Sequence, residues 1–145
     1  RLRIMGRKVY SIPESYVYHV GGGTLPKDNP MKTFLNFRNN LTMLYKNLPE
    51  QDLKHVMRIR RGLDYVAAFE TLIINRNWKD FAAIFKARRA FRRWLPDFLE
   101  DRKRIQALRK DCTSDERETY SILCLYYIKG IKHYFQKNRN ENLHR

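Results

Sequence analysis

The chain has 145 residues, 43% of them hydrophobic, which is enough for one domain with a modest core and too apolar for a disordered segment. Thirty Lys and Arg against 15 Asp and Glu give a formal charge of +15, a balance that favours anionic partners: nucleic acid, acidic lipid headgroups or phosphorylated substrates. The two cysteines, Cys112 and Cys124, show no zinc or redox spacing and are too few to staple a secreted domain, so both read as reduced thiols in a cytoplasmic setting. No apolar run approaches the roughly 18 residues of a spanning helix, and the start shows no signal-peptide pattern.

In chain order, residues 1–5 read as the tail of a helix and Gly6 as a turn. A domain rarely begins with the end of a helix, so the expectation is a C-terminal piece of a longer protein. Residues 8–20 carry a β signal: Val9, Tyr10 and Ile12 precede Pro13, and Tyr16, Val17, Tyr18 and Val20 follow it. Pro13 marks a break or an edge, because proline cannot donate to a sheet ladder. Gly21 to Pro30 is loop by composition.

From there the pattern is helical. Asp28 or Asn29 can cap and Pro30 suits the first turn. Phe34, Leu35, Leu41, Leu44, Tyr45 and Leu48 then recur near the 3.6-residue period. Pro49 ends that helix and opens a second one, with Glu50 and Asp52 at its positive dipole end. The second apolar stripe is Leu53, Val56, Met57, Leu63, Val66, Ala67 and Phe69. A turn over Asn75 to Asn77 leads to a third helix from about Trp78, with Phe81, Phe85 and Trp94 on one face. Pro96 opens a short charged helix to about Lys110. A last helix, capped by Ser114 or Asp115, carries Tyr120, Ile122, Leu123, Tyr126, Tyr127, Ile131, Tyr134 and Phe135. The expected fold is mainly α: about five helices in a small bundle over residues 30–137, a short β segment or hairpin within 1–29, and a polar tail over 138–145 that frays.

Three features could carry chemistry. His19, at the end of the β pattern, could ligate a metal or, when protonated, bind phosphate; a lone histidine is more often structural. Gly21, Gly22 and Gly23 permit close backbone approach but lack GxGxxG and the P-loop Lys-Ser/Thr pair, so alone they read as a hinge. With His19 before them and Lys27, Lys32 and Arg38 after, a phosphate-facing loop gains ground. The third feature is the stretch from Lys86 to Lys110, with ten Lys/Arg against three acids. Arg88, Arg89, Arg92, Arg93 and Trp94 could form a surface for anionic lipid, each basic residue adding about 1 kcal/mol. They could equally be a solvated helix face laced with ion pairs. No nucleophile has a base beside it, so the parts of a complete active site are lacking.

Residues Gly6 to Thr24 follow the form G-x-x-[IV]-x-x-x-P-x-[SA]-x-[VI]-x-H-x-x-G-[GT]-T, and Lys32 to Leu41 the form K-[ST]-[FY]-x-x-x-R-N-x-L. This ordered pair of motifs closely resembles the C-terminal region of family-2 glycosyltransferases, most of all the cell-surface polysaccharide enzymes of Bacteroides-like bacteria. The likeness is strong to Pro49 and looser beyond, through RRGLDYVAAF and YYIKGIKHYF. It implies the remnant of a GT-A α/β catalytic domain, a nucleotide-sugar donor, a glycan acceptor and a divalent metal (Mg or Mn) held at an Asp-x-Asp motif. This sequence has no Asp-x-Asp; the resemblance places that motif, the catalytic base and the parallel sheet upstream of Arg1. It also implies that His19 lies near metal and diphosphate. Gly21, Gly22, Gly23, Thr24 and Lys27 would then belong to the mobile loop over the donor, and Arg38 and Asn39 to the helix that meets phosphate or acceptor. For Arg38 the plainer reading is a helix-surface ion pair.

Two functions follow as expectations. One is the C-terminal part of an inverting glycosyltransferase, inactive alone, acting in the cytoplasm on a lipid-linked acceptor at the inner membrane face. The other is a non-enzymatic basic helical module for anionic lipid or nucleic acid; the lack of a helix-turn-helix, zinc-finger or RNA-binding signature counts against nucleic acid. The unpartnered N-terminal segment is expected to be disordered or to pair with a second copy as a homodimer.

Overall fold

In the computed structural model the described residues are 1–2, 4–18, 26, 29–110 and 124–131. They are mainly helical, and no strand occurs among them. Four α-helices follow in order: α1 Pro30–Asn47, α2 Glu50–Ile73, α3 Trp78–Trp94 and α4 Leu99–Ala107, with a 3₁₀ turn over Pro96–Phe98 between the last two. They belong to a unit spanning Arg1–Asp111; a second unit spans Cys112–Arg145. In that second unit Cys124–Ile128 form a π-helical turn, closed where the Ile131 N–H donates to the Leu125 carbonyl at 2.9 Å. The expected last helix does not continue through 129–131, where the chain bends and Gly130 has φ 66°; the rest of it and the polar tail lie outside the described residues.

The helix starts are local chemistry. Asn29 Oδ1 accepts the Met31 N–H at 2.9 Å and Pro30 follows in the first turn, where its missing N–H leaves nothing unpaired. Asn77 does the same for α3, accepting the Asp80 N–H at 3.1 Å, while its Nδ2 donates to Asp80 Oδ2 at 3.0 Å. Arg76 (φ 49°) makes the turn before it. Gly6 has φ 70° in the N-terminal turn, and a Cβ there would approach Lys110 Cδ to 3.0 Å. The Lys110 N–H donates to the Ile4 carbonyl at 3.0 Å, which ties that turn to the end of α4.

α1 is central and packs most extensively on α3, then on α4 and α2. The buried hydrophobic residues are Leu41 of α1, Ala68 of α2, and Ala83, Ile84, Ala87 and Phe91 of α3. Small side chains at 83 and 87 let the helix axes come close. Two expected stripes are therefore corrected. On α3 the inner face is Ala83, Ile84, Ala87 and Phe91; Phe85 and Trp94 are exposed. On α2 the stripe holds through Leu53, Val56 and Met57, but Leu63, Val66 and Phe69 face solvent, and Asp64 and Ala68 are buried instead.

Over the described residues 8–18 the expected β segment is not seen; residues 19 and 20 of it lie outside the described residues. Residues 8–18 have no regular secondary structure, apart from a turn at Pro13–Glu14 closed by the Ser15 N–H to the Ile12 carbonyl at 3.1 Å. A strand needs a neighbour for its backbone groups, and no described residue pairs with this segment as a ladder. Its apolar side chains are left uncovered: Val17 is 88% and Tyr18 95% exposed.

Candidate functional site

Of the residues singled out by the sequence, His19, Gly21, Gly22, Gly23, Thr24 and Lys27 lie outside the described residues. Arg38 and Asn39 lie on α1. Arg38 is half-buried, its guanidinium stacked over the Trp94 ring (4.8 Å to the centroid) and over the Phe34 ring (5.3 Å). Phe34 reaches it because i and i+4 share a helix face; Trp94 reaches it from the end of α3. Arg38 Nε and Nη2 both donate to Asn39 Oδ1, at 3.1 and 2.8 Å. No carboxylate among the described residues pairs with it, so the plain ion-pair reading of Arg38 is replaced by a stacked cation. Such a guanidinium is oriented by two rings and is suited to hold a phosphate or carboxylate edge.

The basic stretch from Lys86 to Lys110 divides into used and unused cations. Arg88 is used: it donates to Asp64, which is buried, and lies 5.4 Å from the centroid of the Tyr65 ring. Asp64 also has Arg60 Nε at 2.7 Å, an ion pair by distance that is not aligned as a hydrogen bond. Arg88 is thus a core ion-pair partner and not a surface cation, which corrects its placement on a lipid-facing surface. Arg89, Arg92 and Arg93 are exposed, and Trp94 is taken by Arg38 and by Phe98, whose ring is 6.3 Å away.

Arg102, a residue that sequence reasoning passed over, is buried and closes the end of α1. Its Nη1 donates to the Tyr45 and Leu48 carbonyls, the latter at 2.9 Å, and its Nη2 to Glu50 Oε2 at 2.7 Å. Gln106 Nε2 donates to the Lys46 carbonyl at 3.1 Å and Arg109 Nη2 to the Asn47 carbonyl at 2.7 Å. Helix ends leave carbonyls without intrahelical donors; α4 supplies side chains to those of residues 45 and 46, and Arg109, just past its end, to that of residue 47. The only hint in the sequence was the spacing of 102, 106 and 109 on one face of a charged helix. Beside them Lys46 Nζ meets Asp101 Oδ2 at 2.5 Å. That hydrogen bond and charge hold the Asp101 carboxyl below the usual carboxylate range.

No group of three or more His, Cys, Asp or Glu is gathered among the described residues, and their one buried carboxylate is enclosed by two arginines. No helix among them is long and apolar enough to cross a membrane. Comparison of the chain with protein-family models, with curated proteins and with solved structures finds no match.

Proposed function

We propose that this chain is the C-terminal portion of an inverting family-2 glycosyltransferase, which moves a sugar from a nucleotide-sugar donor to a lipid-linked glycan acceptor. The observation that carries the reading is the segment 8–18. It holds most of the first motif of the resemblance, has strand-like alternation, and leaves its apolar side chains in solvent with no strand beside it. A strand with this sequence is suited to complete a sheet that the described residues do not contain. The second motif gives Arg38 as a cation stacked between two rings, with no carboxylate partner among the described residues, on the helix that follows the glycines.

In the full-length enzyme a carboxylate base outside this chain takes the proton of an acceptor hydroxyl. The oxygen attacks the anomeric carbon from the face opposite the leaving group, and the bond to the nucleoside diphosphate breaks with inversion. If a divalent Mg or Mn ion were bound, His19 would be this chain's candidate to lie near it, and the ion would supply charge neutralisation for the diphosphate. The part of this chain is to approach that diphosphate with Arg38 and the loop bearing His19, Gly21, Gly22, Gly23, Thr24 and Lys27, and to hold α1 in place through α3 and α4. The work belongs in the cytoplasm, at the inner face of the plasma membrane. The 145-residue chain taken alone is inactive, and a second copy pairing along residues 8–18 is the expected substitute for the sheet.

Reading the gene upstream of the Arg1 codon tests this. The expected result is a βαβ pattern, an Asp-x-Asp and an acidic stretch shortly before Arg1. The protein made from that longer frame should cleave a nucleotide sugar with Mg or Mn, and R38A should lower kcat/KM by about ten-fold or more. A frame that starts at a methionine directly before Arg1 overturns the reading.

A further inference from the structure

The hairpin of α2 and α3 presents an apolar surface that the core does not use. Val66, Phe69 and Ile73 follow one another along α2 at i, i+3 and i+7, and Trp78, Phe81 and Phe85 do the same along α3. The two lines are joined across the hairpin by ring contacts, Phe69 to Phe81 at 6.1 Å and Tyr65 to Phe85 at 5.6 Å between centroids. At the tip the lines meet in the most exposed apolar residues of the hairpin: Ile73 at 71%, Ile74 at 72% and Trp78 at 66%. A soluble surface seldom gathers so many large apolar side chains without a partner.

The charge around the surface selects the partner. Residues 54–94 contain eleven Lys/Arg against three acids. Two of those acids are withdrawn: Asp64 is buried between arginines, and Asp80 is half-buried against Asn77. Glu70 alone is exposed. Arg76 and Lys79 flank the tip, Arg58 and Arg61 lie further along α2, and Arg89 and Arg92 continue the line of Phe85 along α3. An isologous contact with a second copy would set this basic face against itself. A nucleic acid would answer the charge and could stack on Trp78, but gives no use to Ile73, Ile74 and Val66. An anionic bilayer answers both, with aliphatic groups in the acyl boundary, tryptophan at the headgroup level and arginines against the lipid phosphates.

We infer that the α2–α3 hairpin is a peripheral membrane-docking element that inserts Ile73, Ile74 and Trp78 into the surface of an anionic bilayer. This places the docking surface at the hairpin tip, and not on the Arg88–Trp94 face considered from sequence. It stands independently of the transferase reading, since it needs no catalytic activity. The test is flotation of the 145-residue chain with vesicles of equal parts phosphatidylcholine and phosphatidylglycerol, alongside vesicles of phosphatidylcholine alone. The expected result is binding to the anionic vesicles at least about ten-fold stronger than to the neutral ones. The triple variant I73S/I74S/W78S, which alters mostly exposed side chains and removes one ring contact, Trp78 to Phe81, should lower it by more than about ten-fold with the helical circular dichroism unchanged. In a W94F background Trp78 is the only tryptophan, and its emission should shift to the blue on the anionic vesicles. Equal vesicle binding by wild type and triple variant overturns the inference. So does a chain that binds single-stranded oligonucleotide but no vesicle, and so does a chain that dimerises through the tip in place of binding lipid.

Discussion

The two ends of the helical unit handle awkward groups in opposite ways. Where α1 ends against α4, polar groups that would be orphaned are met one by one: the carbonyls of 45, 46 and 47 by Arg102, Gln106 and Arg109, and the Arg102 charge by Glu50. At the α2–α3 tip, apolar groups that water disfavours are left bare. The first end uses Arg102, Arg109 and Lys46 in the fold; the second keeps Arg76 and Lys79 and its apolar residues exposed. The difference separates cations that hold the protein together from cations that can meet a partner, a separation that net charge alone hides.

Substitutions can break this contrast. The largest effect is expected at Asp64. D64A leaves Arg60 and Arg88 facing each other across a buried position, and should cost about 3 kcal/mol of unfolding free energy in urea, near the lower bound for breaking a buried pair because both arginines reach partly to solvent. R102A comes next, at about 2 kcal/mol, because the carbonyl of Tyr45 and that of Leu48 lose a charged donor and the Tyr45 ring loses its stacked cation. If R102A were silent while the hairpin triple variant unfolded the chain, the two ends would have been assigned the wrong way round.

A smaller effect sharpens the comparison through pH. The Asp101 carboxyl is held low by Lys46, so its folded-state pKa lies below the unfolded one. Its contribution is fully present above the unfolded value and is lost as pH falls through the folded value, below about pH 4. Acid titration of the melting temperature should therefore be slightly shallower in D101N than in wild type in that range, with no difference at neutral pH beyond the loss of the contact itself.

Much of the helical layout could be read from residues alone. Asn29-Pro30, Pro49 and the Asn77–Asp80 pair are local signals, and the helices begin and end at them. Which face turned inward was harder. On α3 an aromatic line and an alanine line compete; the aromatic line has more area, but the alanine line allows the closer approach of α1, and it is the one buried. On α2 the stripe fails where Asp64 enters the core, because a buried carboxylate is visible only once Arg88 is known to reach it. Arg38 looked like a surface charge, since its partner Trp94 is far away in sequence. The β-branched and aromatic residues of 8–18 read as a strand, and no strand is seen there, because a ladder is a property of two segments and one sequence stretch specifies only one of them.

The most direct measurement is amide hydrogen exchange on the monomeric 145-residue chain, comparing residues 8–18 with the core of α1 and α3. The account predicts exchange at close to unstructured rates in 8–18, slow exchange around Leu41, Ile84 and Phe91, and protection of 8–18 only once a partner strand is supplied, as the proposed full-length transferase would supply it. Strong protection of residues 8–18 in the isolated monomer would contradict it, because the segment would then already have its partner.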